Sequence, residues 1–311
     1  MIQTIATIIF PVFIIISVGY FATMTKIISI NEVSVLTKFS QNIALPILLF
    51  LNISDLDLDK VLNKDLLLSF YLSAMFCFTL GTLGSFYCFS KSLSNSISIG
   101  FCCLFSNSLL LGLPITELAY GNEALSFNFI IISFHAPFCY LLGILAMEIS
   151  LSQGSNKLKI IKKTFLTMFS NPLALGIALG FLSNTIGLKI PMYFEDALKL
   201  ISVAGIPVAL FALGGVLTQF SLLGNIPEAL MISIISLILH PLLVITLGTH
   251  IFVLSQQELK SALITAAMAP GVNAFIFATM YKKSIALVAN TVIFSTAFSI
   301  ITAAFWISYI K

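Results

Sequence analysis

Residues 10–20 read FPVFIIISVGY, and residues 171–181 read NPLALGIALGF. Pro11, Gly19 and Tyr20 in the first stretch correspond to Pro172, Gly180 and Phe181 in the second, each pair 161 residues apart. The same displacement links Pro46 in ALPILLF to Pro207 in GIPVALF, Phe50 to Phe211, and Tyr120 to Tyr281. Chance could supply one such match in so apolar a chain. One displacement shared by several proline, glycine and aromatic positions marks an internal repeat.

Working outward, the chain divides into ten charge-free runs: 1–25, 39–54, 66–90, 92–116, 124–147, 164–188, 200–227, 229–257, 261–281 and 284–310. A helix needs about 20 apolar residues to span a bilayer, and nearly every run is long enough. The second is short, but 33–37 extends it back past Lys38. Five spans per half is an odd number, so the second half enters the membrane with opposite orientation. The expected architecture is all-α and integral to the membrane, with ten spans in two inverted five-helix repeats, a design that serves alternating access. The expected boundaries are an N-terminal repeat over 1–152, a cytoplasmic linker over 153–163 and a C-terminal repeat over 164–311.

Composition leads to the same class. Of 311 residues, 59% are hydrophobic and 9% charged, with mean hydropathy +1.09. Soluble domains carry roughly 25% charged residues, so lipid must cover most of this surface. The N-terminus lacks a basic segment and its apolar run is too long for a signal peptide, so it reads as the first span. All 15 basic residues are lysine. Nine follow odd-numbered runs and six follow even-numbered ones, and KLKIIKK at 157–163 is the strongest single topological signal. Lysine excess marks the cytoplasmic side, so both termini are expected outside, in a multi-pass protein of the cell (inner) membrane. The same lysines suit contact with anionic lipid. The five cysteines all lie in apolar runs without CxxC spacing and read as small buried hydrophobes.

Helix breaks at membrane depth are tolerated only where protein or a water-filled cavity satisfies the freed backbone, so paired interruptions in the two halves point to a site. The best pair is FSNSLLLGLPITELAYG at 105–121 in the fourth run and AMAPGVNAFIFATMY at 267–281 in the ninth. Asn107, Ser108, Pro270, Gly271 and Asn273 are the candidate substrate-binding residues, with Asn42 as a further one. Ser106, Gly112 and Pro114 are candidate hinges, as are Pro46 and Pro207, where a kink serving packing is the plainer reading. Half-helix N-termini carry partial positive charge and suit an anion, and amides can hold a carboxylate without bearing charge. Close helix packing by small residues is the competing explanation.

No Asp, Glu or Lys falls mid-span. That argues against a carboxylate proton relay or a carboxylate-ligated sodium site. His135, in FHAPF, and His240, in LHPLL, are candidates for a coupling proton. Each reads equally as a neutral imidazole bonded to backbone freed by the neighbouring proline. An enzyme would need a nucleophile with a base or a metal cluster, and no HExxH, GxSxG or paired intramembrane aspartate is present. No cofactor, metal or enzymatic activity is expected. Loops this short leave no output domain for a receptor.

Several stretches together carry a family resemblance: FPVFIIISVGYFATMTKIIS from residue 10, LPILLF from 45, SNSLLLGLP from 106, NPLALGIALGFLSNTIGL from 171, GIPVALFALGG from 205, and APGVNAF and FATMY from 269 and 277. In order and spacing they resemble a bacterial member of the auxin efflux carrier family, which includes plant carriers and bacterial malate or malonate permeases. The resemblance implies ten helices in two inverted repeats. It also implies unwound, crossing fourth and ninth helices, as in bile-acid/sodium symporters, and a scaffold bundle beside a mobile transport bundle. The implied substrates are organic anions bound beside the crossover, with small carboxylates or dicarboxylates foremost. By motif, Asn107 matches the crossover asparagine and Pro270 the crossover proline. The plant carriers have proline before that asparagine where this chain has Ser106, so a softer fourth-helix break is expected. A sodium-coupled symporter of the bile-acid type is the alternative. The expected partners are a small organic anion and the bilayer, with a homodimer allowed and no nucleic acid.

Overall fold

The computed structural model describes residues 2–151, 171–220 and 225–310. The linker 153–163, with its orienting lysines, lies outside them. Among the described residues the regular structure is helical, apart from one isolated antiparallel bridge between Ser106 and Pro270. The main helices are α1 (Ile2–Met24), α2 (Ile30–Ser54), α3 (Lys64–Cys88), α4 (Leu93–Leu104), α5 (Ser108–Tyr120), α6 (Asn122–Leu151), α7 (Pro172–Ile186), α8 (Met192–Leu217), α9 (Ile226–His250), α10 (Gln256–Ala266), α11 (Val272–Tyr281) and α12 (Ile285–Tyr309). Seven of them, α1, α2, α3, α6, α8, α9 and α12, contain segments long and apolar enough to cross a bilayer, which makes this a multi-pass membrane protein. The fourth run is delivered as α4 and α5, and the ninth as α10 and α11.

Charge-free runs misplace some ends. The run ending in α11 was expected from 261, but α10 starts at Gln256 because Ser255 and Glu258 form a reciprocal capping box. Ser29 and Glu32 do the same for α2, which therefore starts at Ile30. A capping box puts a carboxylate inside the first turn, where it accepts from orphan backbone donors. A charge there starts a helix rather than interrupting it. In α7, Asn171 caps Leu173 N–H at 2.9 Å and Pro172 follows it. The helix ends on Gly187, in the left-handed region at φ 64°, a conformation glycine adopts at little cost.

Prolines shape the interiors. Three π turns, Ser40–Ala44, Ser108–Gly112 and Ile235–Leu239, each end just before a proline: Pro46, Pro114 and Pro241. Proline lacks an N–H and its ring crowds the carbonyl four residues back. The wider turn moves that carbonyl aside: Leu45, Leu113 and His240 each donate five residues back, to Ser40, Ser108 and Ile235. Near Pro207, the repeat partner of Pro46, the helix breaks instead, between Met192–Val203 and Gly205–Leu217.

The helices form two compact units that cut across the sequence halves. One takes Phe10–Leu62 and Phe165–Gln219, and the other takes Met1–Ile9, Asn63–Thr164 and Phe220–Lys311. In the smaller unit, α7 packs along the second half of α2, and the end of α8 along its first half. Backbones touch there. A Cβ on Gly19 would fall on the Phe211 carbonyl, and one on Gly180 would meet Ile53 and the Phe50 carbonyl at 2.9 and 3.1 Å. Gly19 and Gly180 are repeat partners, and so are Phe50 and Phe211. The two contacts are therefore exchanged by the 161-residue displacement. In the larger unit, α3 lies along α4 and α9, while α6 lies along α4, α5 and α10.

Four of the five cysteines, Cys77, Cys102, Cys103 and Cys139, are buried as expected. Cys88 is exposed instead: it is the last residue of α3, and the buried residues of that helix end at Ser85.

Candidate functional site

The fourth and ninth runs both break, and the broken ends meet. α4 stops at Leu104, where Phe105 turns to an extended conformation (φ −92°, ψ 90°). α10 stops at Ala266, and Gly271 is extended before α11 begins (φ −82°, ψ 171°). The two short extended pieces run antiparallel. Asn107 N–H donates to the Ala269 carbonyl at 2.8 Å, and Gly271 N–H donates to the Phe105 carbonyl at 3.3 Å. Ser106 and Pro270 face each other between these bonds. In such a pair neither residue supplies its own N–H to the partner, so proline sits there without forfeiting a bond.

Two helix N-termini converge on this bridge. α5 starts at Ser108 after Asn107, and α11 starts at Val272 after Gly271, neither with a side-chain cap. Asn107 lies against Gly271, whose Cβ position is 3.5 Å from Asn107 Cγ. The Asn107 carbonyl accepts from Leu111 and Gly112 N–H, both at 3.1 Å, which closes the first π turn of α5. Orphan N–H groups and the helix dipole make such ends electropositive. No charged side chain occurs in 105–112 or 267–273. The arrangement can present donors to an anion without a fixed counter-charge.

One helix, α6, ties the crossover together at three levels. Asn128 donates from its amide to Thr116 Oγ1 of α5 at 3.2 Å and to Thr265 Oγ1 of α10 at 2.7 Å. His135 places Nε2 3.1 Å from the Ser106 carbonyl. Tyr140 donates to Asn273 Oδ1 at 3.3 Å. Asn128 and Tyr140 escape a search for ionisable groups and paired prolines. An amide inside the fifth run, near its start, was the readable signal for Asn128. Tyr140 offers none, since its partner is 133 residues away.

The structure brings Ser106, Asn107, Ser108, Pro270, Gly271 and Asn273 together, with Gly112 and Pro114 completing the π turn and the next turn of α5. Ser106, Asn107 and Ser108 are buried, and Asn273 is half-buried. Asn42, Pro46 and Pro207 belong to the other unit, where Asn42 is an exposed member of the Ser40–Ala44 π turn. His135 and His240 are both buried, and the Phe70 ring contacts each, with centroids 5.7 and 5.2 Å away. The backbone that His135 bonds is freed by the break in the fourth run, not by its neighbour Pro137 as the plainer reading expected. His240 Nε2 is buried without a partner.

Two carboxylates, Glu228 and Glu258, prove to be buried, which the placement of acids in loops did not anticipate. Both serve helix starts. Glu228, in the first turn of α9, pairs with Lys91 at 2.9 Å. Glu258 accepts from Asn63 at 2.6 Å besides its capping box. Neither belongs to the crossover segments.

A family model described as Membrane transport protein matches residues 4–307. The chain is 24% identical to an uncharacterized transporter of Methanocaldococcus jannaschii over 95% of both chains. It is 25% identical to auxin efflux carrier component 5 of Arabidopsis thaliana over 64% of this chain and 66% of that one. It is also 26% identical to the lysosomal cholesterol signaling protein of Mus musculus, over 89% of this chain but 34% of that larger one. These matches agree with the auxin-carrier resemblance and give no support to the bile-acid-type alternative. With nearly its whole length inside the family model, and with its membrane-crossing helices, the chain belongs to the auxin efflux carrier family of membrane transporters.

Proposed function

We propose that the protein is a secondary carrier of small organic anions, carboxylates or dicarboxylates, which bind at the crossover and move by alternating access. One observation carries the reading: two uncapped helix N-termini and the amides of Asn107 and Asn273 come together in segments, 105–112 and 267–273, that hold no charged residue. Neutral donors aimed from helix ends suit an anion that must be released again.

Ten spans in two inverted repeats, 1–152 and 164–311 about the linker 153–163, fit this function. The exchanged contacts of Gly19 with Phe211 and Gly180 with Phe50 support that arrangement, because a two-fold relation between halves would produce them. The unit carrying both breaks is read as the transport bundle and the other as the scaffold. The lysine distribution supports termini on the outer side of the cell membrane. A coupling proton has two candidate carriers, His135 and His240.

The test is counterflow in proteoliposomes against a panel of mono- and dicarboxylates. Saturable flux of at least one acid is expected. Folded protein that moves none of them overturns the reading.

A further inference from the structure

We infer that His135 is a positioning residue: its neutral imidazole caps the backbone carbonyl that the fourth-run break leaves at Ser106, and so holds Asn107 in place. The inference rests on the crossover being the substrate site. In an unbroken helix the carbonyl of residue 106 would accept from the N–H of residue 110. Here the chain turns away, and that carbonyl receives the Ser108 N–H at 2.8 Å and His135 Nε2 at 3.1 Å. A carbonyl only accepts, so the hydrogen of a neutral ring must sit on Nε2. Nδ1 is then an acceptor, and it faces Cys139 Sγ at 3.7 Å.

The ring has little room to turn. It packs edge-on to Phe105 at 4.7 Å and stacks near Tyr71 at 6.3 Å, and Tyr71 is itself fixed by its bond to the Ile131 carbonyl at 2.6 Å. The residue is 2% exposed. Without the imidazole this carbonyl would keep only the N–H of Ser108, two residues along the chain. A second lone pair left unsatisfied in so dry a place is costly, so losing the donor should loosen the bridge one residue away, where Asn107 N–H meets Ala269. His135 then works through an N–H that it keeps in every functional state and shuttles no proton, so that of the two candidate carriers only His240 would remain for coupling.

Glutamine separates the two roles, because its Nε2 can donate from nearly the same place while its side chain does not titrate. The experiment compares the full-length wild type with His135→Gln and His135→Leu in lipid nanodiscs and proteoliposomes. Hydrogen–deuterium exchange is followed in peptides covering 105–112. Counterflow of malonate and malate is measured between about pH 5 and 8, where an imidazole titrates. His135→Gln should protect those amides as the wild type does and transport within about threefold of it, with the same pH profile. His135→Leu should exchange there about tenfold faster and lose about tenfold in transport.

A glutamine variant that stays protected but loses transport, or whose pH profile flattens, overturns the inference in favour of a titrating histidine. A leucine variant as protected as the wild type overturns it too. If the leucine variant does not fold, the glutamine variant alone decides, by the same criteria. Should the wild type move neither acid, the transport comparison uses whichever carboxylate of the panel it does move; should it move none, the carboxylate reading falls while the exchange comparison still judges the role of His135.

Discussion

The two breaks that meet at the crossover are held open by different means. The ninth-run break is written into its own sequence. Pro270 cannot continue the helix from α10, and Gly271 begins the next one in an extended conformation. The fourth-run break has no proline or glycine at its centre. Ser106 and Asn107 would both tolerate a continuous helix, and the nearest proline, Pro114, lies past a π turn inside α5. What keeps this break open is tertiary: the bonds from Asn107 to Ala269 and from Gly271 to Phe105, and the cap that His135 places on Ser106. One strand of the crossover is thus broken locally, and the other is broken by its neighbours. A site assembled from one rigid and one supported half can keep its geometry while the supported half adjusts.

The largest expected effect tests what the supported half is for. Asn107→Ala should cut carboxylate transport about tenfold to a hundredfold, since a hydrogen bond to a charged group is worth about 1.5–3 kcal/mol. The backbone bonds of residue 107 survive the change, so thermal stability in detergent should move little. Equal transport at equal expression would remove Asn107 from the site and leave it a packing residue. Next comes Pro270→Ala, which tests the rigid half. Proline disfavours an unbroken helix by about 3 kcal/mol, so alanine should let α10 run on toward α11. Transport should drop, with a smaller loss than for Asn107→Ala, while stability holds or rises. A drop in both would mean that proline supports the fold and not the break.

These differences explain what could be read in advance. The break at Pro270 and Gly271 was legible because proline and glycine act on their own backbone, whatever surrounds them. The place of Asn107 at the fourth-run break was legible as an amide beside a small-residue cluster. The devices holding the fourth-run break were not, because the bonds of His135 to Ser106 and of Tyr140 to Asn273 join residues 29 and 133 apart. The helix starts at Ile30 and Gln256 are hidden for a different reason: the charge that ends an apolar run belongs, through a capping box, to the first turn of the next helix. The exposed Cys88 and the buried Glu228 and Glu258 share one cause. Polarity says which residues prefer lipid or water, but the neighbours of a helix end decide what covers it.

A moderate effect is expected at Asn128, which joins α5 beyond the fourth-run break to α10 before the ninth. Asn128→Leu removes two hydrogen bonds, each worth about 1 kcal/mol, but also the amide oxygen, which is buried without a partner. The losses partly cancel, and the melting temperature should fall by only a few degrees. Asn128→Asp keeps the size and adds an unpaired buried charge, so it should destabilise much more. If the two variants melt alike, the amide is not the tie between the two broken spans.

The smallest effect is expected where the two breaks could be made alike. Ser106 faces Pro270 in the pair that exchanges no bonds, and among the described residues its N–H has no backbone acceptor. Phe105 before it is already extended, the conformation that a following proline demands. Ser106→Pro should therefore leave the bridge intact and shift stability by less than about 1 kcal/mol, with transport near that of the wild type. It should also make the fourth-run break local, as the ninth already is. Combined with His135→Leu, it should recover part of the transport that the leucine variant loses alone. If the double variant transports no better than His135→Leu, the two breaks do not differ in the way described: the fourth would depend on its neighbours even when proline interrupts it.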